Sequence, residues 1–323
     1  MNTNSNIKTT DLIVIGGPTA SGKTDLAINV AKLLDGEIVN SDSVQVYKYM
    51  DIGSNKGSIE AIGNLQINNN QIVEFEIENS GINGVLFDLV EPSNDFNVSI
   101  YKSYADSAID YLNSKNKIPI LTGGTGLYID AVIKGYNFKE VEANNSYRNE
   151  LSKLSLSELT DKLKTISENI YMDLNNSDKN NPRRLIRLLE KAKNNLNIVE
   201  NKNKYNNVFL YPEFDKDVLM DKIDTRVDWM FNNGFVEEVE KLIKNGYSLK
   251  NIAMQSAGYK QIFLMLNDNK YTLEECIEEV KNSHRKLAKR QITWFEGEGR
   301  KYNLIRVNSS NLNIKLKKAG LII

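Results

Sequence analysis

Gly16-Gly17-Pro18-Thr19-Ala20-Ser21-Gly22-Lys23-Thr24 is the stretch that decides the fold. Residues Gly17–Thr24 satisfy the pattern G-x-x-x-x-G-K-[ST] in full. Each part has a physical reason. Glycines let the backbone wrap an anion, and successive N–H groups then point inward. A helix that starts at the end of such a loop offers unpaired N–H donors and the positive end of its dipole. Lys23 adds a mobile charge for an outer phosphate, and Thr24 has the hydroxyl that ligates magnesium in such loops. The flanks suit this reading. Asp11–Ile15 is a short apolar run that predicts a buried strand, and Leu26, Val30, Leu33 and Leu34 share a helical face over Asp25–Leu34.

Beyond the loop, Glu37–Asn40 reads as a second strand leading into Ser41-Asp42-Ser43. In an open parallel sheet, ligands bind past the carboxyl ends of the strands. Asp42 is therefore expected on the same rim as the phosphate loop, as a base, a water-mediated magnesium holder, or a plain turn cap. Glu74–Glu78 and Val85–Val90 read as strands with Asn83-Gly84 as the turn between them, and Gly53–Gly84 is otherwise poorly patterned. Ser99–Leu112 reads as a helix. Ile118–Leu121 reads as a strand that runs into Thr122-Gly123-Gly124-Thr125-Gly126, and Leu127–Ile133 as a helix. Further on come a helix over Arg183–Lys193 with Pro182 in its first turn, a strand over Val208–Tyr211, and helices over Asp215–Asn233, Val236–Lys244 and Tyr271–Glu296. This pattern predicts an α/β fold: a parallel sheet flanked by helices like that of the P-loop NTPases, with an inserted helical subdomain and a helical C-terminal region. The expected division is a core of 1–136 with 201–323 and an insert of 137–200.

Composition narrows the chemistry. The 323 residues carry 41 Lys+Arg against 42 Asp+Glu, so basic groups must be gathered on one face if phosphate is to be attracted. A single cysteine, Cys276, excludes an internal disulfide and a cysteine zinc site, and a single histidine, His284, excludes a histidine-rich metal centre. The apolar run Leu12–Ile15 is too short for a signal peptide core or a membrane span, so a cytoplasmic, membrane-free protein is expected; a monomer is the default expectation. Most owners of the phosphate loop bind ATP or GTP and carry an acidic residue after an apolar strand. Here Ile118–Leu121 ends in Thr-Gly-Gly instead, which leaves Asp88 as the candidate for that acidic role.

The motifs also occur together in an order that resembles the tRNA dimethylallyltransferases, the IPP transferase family. They are Gly17–Thr24, Asp42-Ser43-Val44-Gln45-Val46-Tyr47, Met50-Asp51-Ile52-Gly53, Gly123–Tyr128 and Asn181-Pro182-Arg183-Arg184-Leu185 with Arg187. Arg226, Met230 and Gly234-Phe235 follow, then Gly258-Tyr259-Lys260-Gln261 and Lys289-Arg290-Gln291-Ile292-Thr293-Trp294-Phe295. The resemblance spans roughly residues 11–296. One departure is plain. The family carries two histidines before its apolar-Asp-x-x-x-Pro segment, whereas Val85–Pro92 keeps only that tail behind an elongated stretch.

The resemblance implies transfer of a dimethylallyl group from dimethylallyl pyrophosphate to the exocyclic amine of the adenosine 3′ of the tRNA anticodon. Gly17, Pro18, Thr19, Ala20, Ser21, Gly22, Lys23 and Thr24 would then hold the pyrophosphate, with Mg2+ on Thr24. It further implies Asp42 as general base, with Lys23, Arg226 and Thr125 in catalytic positions. The expected contacts to the tRNA anticodon stem-loop are Asp42, Ser43, Val44, Gln45, Thr125, Arg148, Arg183, Arg184, Arg187, Lys289, Arg290 and Gln291. Lys281, Arg285 and Lys286 extend that basic cluster toward Trp294-Phe295. On position alone, Arg226 could instead pair with Asp224 or Asp228, and the late cations with Glu274–Glu279. A P-loop small-molecule or nucleoside kinase is the alternative activity, and a nucleotide-regulated RNA-binding protein is a third reading. Some relatives prenylate free adenine nucleotides; the late basic segments favour tRNA here.

Overall fold

The apolar run after Asp11 becomes β1 (Leu12–Gly16), buried along its whole length as a central parallel strand must be. Seven more strands join it: β2 (Gly36–Asn40), β3 (Ile59–Ile67), β4 (Asn70–Ile77), β5 (Ile82–Val85), β6 (Ile118–Gly123), β7 (Asn207–Pro212) and β8 (Leu304–Val307). The computed structural model describes residues 10–67, 70–136, 145–172, 174, 176–193, 204–299 and 302–322. Strand order is β3-β4-β5-β2-β6-β1-β7-β8. Pairing is parallel from β5 to β8, and β4 runs antiparallel to both β3 and β5.

Alternation along β1 builds two cores. Ile13 and Ile15 face Leu26, Ala27 and Val30 of α1 (Lys23–Leu34), while Leu12 and Val14 belong to the opposite core with Tyr101, Ala105 and Ile109 of α2 (Val98–Ser114). Gly126–Ile133 forms α3, which packs on α2. The carboxyl ends of β1, β2 and β6 thus leave one edge of the sheet, and each feeds a loop that matters below.

The chain divides into two compact units, Met1–Ile133 with Asn203–Ile323, and Lys134–Lys202. The boundaries expected at 137 and 200 lie outside the described residues, as does most of the polar start Met1–Thr10. The second unit holds α4 (Asn145–Leu151), α5 (Leu156–Ile166), α6 (Glu168–Met172), α7 (Asn176–Lys179) and α8 (Pro182–Lys193). Its core is Tyr147, Leu151, Leu159, Leu163, Leu185 and Leu189. Pro182 opens α8, where its missing N–H costs nothing. The first unit ends with α9 (Lys216–Asn232), α10 (Phe235–Lys244), α11 (Tyr259–Asp268), α12 (Leu273–Glu296) and α13 (Leu312–Lys318). Among the described residues, no helix is long and apolar enough to cross a membrane.

Two expectations are corrected. Asn83-Gly84 is not a turn: both residues lie inside β5, opposite Glu76 and Phe75. The reversal falls at Glu78–Gly81, where Glu78, Asn79 and Gly81 take φ of 51°, 50° and 74°. Val85–Val90 is not a strand beyond Val85, because Leu86 and Asp88 also turn left-handed; Val90 returns only as a single bridge to Tyr47. The poorly patterned stretch before them is the β3–β4 hairpin, added to the sheet edge.

Candidate active site

The loop after β1 is shaped to receive an anion. Gly22 is the N-cap of α1 and no side chain caps the helix, so its first N–H groups are left for a ligand. Thr19 to Asp25 all line a cavity of roughly 210 Å³, together with Asp42, Gln45, Arg226 and His284. Lys23 lies folded onto its own loop, its ammonium donating to the Pro18 carbonyl at 2.6 Å. Burial pulls the Lys23 pKa down to about 7; Asp42 opposes that fall and Arg226 adds to it. A charge so poorly solvated is ready to be exchanged onto a phosphate.

Asp42 leaves the end of β2, where Asn40 accepts the Asp42 N–H at 3.2 Å and donates to the Leu86 carbonyl at 3.0 Å. Asp42 Oδ1 accepts from the N–H of Val44 at 2.8 Å and of Gln45 at 3.4 Å, which is the turn-cap role. Oδ2 has no partner among the described residues, and the residue lines the cavity. One oxygen therefore fixes the carboxylate and the other is free to act. Burial raises the Asp42 pKa, against the two N–H bonds and Lys23, which makes it a stronger base than an exposed carboxylate.

The turn after β6 explains its glycines by close approach. A Cβ on Gly123 would sit 2.0 Å from the Ser41 carbonyl oxygen, so only glycine lets β6 and the β2 loop meet. Thr125 clamps the same loop: its hydroxyl accepts the Ser43 N–H at 2.9 Å and donates to Ser43 Oγ at 3.1 Å. Thr125 is not part of the cavity wall, which passes through Thr122, Gly123 and Gly124. Val44 and Gln45 are on the wall, with the Gln45 amide donating to the carbonyls of Ser54 and Asn55.

Arg226 reaches the site from α9 and donates to Thr19 Oγ1 at 3.3 Å. It does not pair with its helix neighbours, because α12 takes both of them. Arg285 forms a two-pronged contact with Asp224, and Lys281 meets Asp228 at 2.8 Å. Gln291 of α12 is nearly buried and bridges two motifs: its oxygen accepts the Thr19 N–H at 2.8 Å and its nitrogen donates to the Gly124 carbonyl at 3.1 Å.

Asp88 is drawn away from any nucleotide role. It is ion-paired with the buried Lys56, which also meets Asp51 at 2.5 Å and donates to the Tyr47 carbonyl. Trp294 and Phe295 face inward rather than presenting a stacking platform. Phe295 is core, and the indole N–H of Trp294 donates to Tyr302, whose hydroxyl donates to Asp130 at 2.6 Å. Lys286, Lys289 and Arg290 are exposed and have no acidic partner among the described residues. In the second unit, Arg148 grips Glu190 with two hydrogen bonds, Arg187 joins the same carboxylate at 3.3 Å, Arg184 meets Asp178 at 3.0 Å, and Arg183 is exposed.

Three supports were not foreseen. Glu238 of α10 accepts the N–H groups of Asp51, Ile52 and Gly53 and the hydroxyl of Tyr259, fixing the loop that precedes β3. His284 is buried on the cavity wall beside Arg226, its Nδ1 against the Val280 carbonyl; burial, together with Arg226, depresses its pKa. Glu78 comes to the cavity from the end of the hairpin. No short-range pattern marks these residues.

The sequence from Gln45 to Glu298 matches the family model described as IPP transferase. The tRNA dimethylallyltransferase of Clostridioides difficile is 39% identical over 300 residues, 90% of each chain. That of Thermoanaerobacter sp. is 37% identical, over 88% of this chain and 89% of its own. Among solved structures, the tRNA isopentenylpyrophosphate transferase of Bacillus halodurans superposes with a TM-score of 0.68 at 33% identity, covering 97% of both chains. A eukaryotic dimethylallyltransferase acting on tRNA superposes with a TM-score of 0.74 at 25% identity, covering 97% of this chain and 78% of its own. Likeness that runs through nearly all of the sequence, and through the fold that carries both rim loops, makes this chain a member of the IPP transferase family.

Proposed function

We propose that this protein transfers a dimethylallyl group from dimethylallyl pyrophosphate to N6 of adenosine 37, immediately 3′ of the anticodon in tRNA, and releases pyrophosphate. The observation that carries the reading is one cavity with a phosphate loop and a half-capped, half-buried Asp42 on the same wall. Ile38, Val44, Phe87, Met230 and Leu287 supply apolar surface to that wall, as a hydrocarbon donor requires. The allylic C–O bond breaks with its electron pair passing to pyrophosphate, and an N6–C bond forms. Lys23, Arg226 and the α1 N–H groups stabilise the charge on the departing oxygens. Asp42 accepts the N6 proton through Oδ2.

Thr24 suits a magnesium ion shared with the donor. It lies in the first turn of α1 on the cavity wall, and no group of three His, Cys, Asp or Glu side chains able to hold a metal occurs among the described residues. Magnesium characteristically keeps water and substrate phosphate as most of its ligands. When bound, it would offset pyrophosphate charge.

The adenine must leave the anticodon-loop stack to reach a carboxylate set in a cavity wall. Lys286, Lys289 and Arg290 on α12, and Arg183 in the second unit, are exposed cations without an acidic partner among the described residues, available to the stem-loop backbone. The test is incubation with labelled dimethylallyl pyrophosphate, Mg2+ and unmodified tRNA, followed by nucleoside analysis. Prenylated adenosine next to the anticodon is expected. Absence of label from tRNA, or phosphate transfer from ATP to a small acceptor, overturns the reading.

A further inference from the structure

Glu78 is the first residue after β4, and the elongated hairpin that distinguishes this chain's sequence delivers it to the phosphate site. Its backbone is left-handed, with φ of 51°, and its N–H donates to the Ser58 carbonyl at 2.7 Å. That bond ties the end of β4 to the chain entering β3. Opposite lies Gly57, with φ of 79°. Glu78 Oε1 lies 2.7 Å from where a Cβ on Gly57 would sit, so the carboxylate rests against the turn that Gly57's left-handed backbone makes. Glu78 lines the phosphate cavity and also an adjoining one of about 890 Å³, and Arg226 lines both as well.

Arg226 therefore shares both cavity walls with Glu78, and its hydrogen bond goes to Thr19. Asp25, in the first turn of α1, and then Glu78 are the carboxylates that favour its charged form against the cost of burial. Among the described residues the two form no direct ion pair, but the influence is mutual: lost hydration and Asp25 raise the Glu78 pKa, while Arg226 lowers it. Both acids stand beside a loop whose every other feature attracts an anion. Two negative groups next to a pyrophosphate site weaken binding unless they have a task. Asp25 favours α1 by its place at the helix start. Glu78 has no such helix to serve.

We propose that Glu78 is a positioning residue, an electrostatic counterweight to Arg226 that limits how tightly the pyrophosphate leaving group is held. It acts through the guanidinium, offsetting part of the charge that the phosphate oxygens would otherwise meet. The uncapped helix, Lys23 and Arg226 together would otherwise retain the product, and turnover requires its departure. No bond or proton changes hands in this role. The inference rests on the loop being a pyrophosphate site.

The experiment is calorimetric titration of the full chain with inorganic pyrophosphate at fixed Mg2+. It compares the wild type, Glu78→Gln, Glu78→Asp, Arg226→Gln and the double variant Glu78→Gln/Arg226→Gln. Glu78→Gln is expected to bind about two- to fivefold more tightly, the scale of a partly exposed charge pair. Glu78→Asp should stay near the wild type, and the gain should vanish when Arg226 is already replaced, since coupled residues are not additive. Product inhibition of the transferase by pyrophosphate should strengthen by the same factor. No pyrophosphate binding by the wild type sinks the phosphate-site reading itself. Wild-type binding with an unchanged or weakened Glu78→Gln affinity overturns the counterweight, as does a gain that persists without Arg226. Thermal melting of each variant separates these outcomes from loss of the hairpin.

Discussion

The loop after β1 and the loop after β2 leave the same edge of one sheet, yet they handle charge in opposite ways. The first has no side-chain cap on its helix and parks its lysine on its own carbonyl, so both attractive groups wait for a ligand. The second caps itself: Asp42 spends one oxygen on the turn it begins and keeps the other for the cavity. The difference teaches how one rim can hold the leaving anion and the base of the proposed reaction without the two cancelling. The anion site is made of groups left unsatisfied, and the base is held still by being half satisfied. Thr125, from a third loop, clamps the second loop at a fixed distance from the first.

The sharpest way to break this comparison is Asp42→Asn. The amide oxygen can still accept from Val44 and Gln45, so the turn should persist, but the proton has nowhere to go. Single-turnover prenyl transfer should fall by about 10²- to 10⁴-fold with tRNA still bound. A loss traced wholly to weaker donor or Mg2+ binding would make Asp42 a metal-site residue, and undiminished transfer would leave it a cap alone. Next in size is Lys23→Ala, expected to cost about 10²- to 10³-fold in turnover with weakened donor affinity. Near-normal rates in a folded variant would show that the loop's N–H groups suffice.

A smaller effect tests the state of the waiting lysine. Lys23 has a folded pKa of about 7 against an ordinary 10.5, so between those values the unfolded chain binds more protons. Its contribution to the stability of the ligand-free protein therefore rises as pH climbs through that window. Pyrophosphate should recharge it. Titrations at pH 8 in buffers of different ionisation heat should show proton uptake in the wild type that exceeds that of Lys23→Met; equal uptake would mean the lysine is charged before the ligand arrives. The smallest effect lies outside the rim. Lys289→Ala and Arg290→Ala should each flatten the salt dependence of tRNA binding by about 0.7 to 0.9 of a slope unit per lost contact, with donor binding unmoved. An unchanged slope would assign them to solvent.

Legibility followed sequence separation. The phosphate loop, β1 and α1 were readable because spacing, apolar runs and helical faces are all local signals. Asp42 was readable as a rim residue for the same reason, although its double duty was not. Arg226 is instructive. Asp224 and Asp228 lie four residues apart and share a helical face, whereas residues two apart point away from each other. Helix geometry alone therefore argued against the pairing that position suggested, and α12 occupies both acids. The hairpin was obscured because Asn-Gly, a strong turn signal, is here buried in a ladder, with Gly84 packed against Ile77. Gln291, Glu238 and Lys56 act through partners that no periodicity connects to them.

The reach of Gln291 also has a consequence in time. Its hydrogen bond to Thr19 spans 272 positions, and β1 gains its second neighbour only from β7. During synthesis the complete phosphate motif leaves the ribosome early, with neither of these supports. Long-range contacts of this kind form last, after the entropy of closing the loop has been met. A nascent chain halted before α12 carries every residue of the motif and lacks the bond that joins it to the Gly124 turn. The bridge between the phosphate loop and the Gly124 turn is thus completed only after α12 has been made, well after the residues of the motif have appeared.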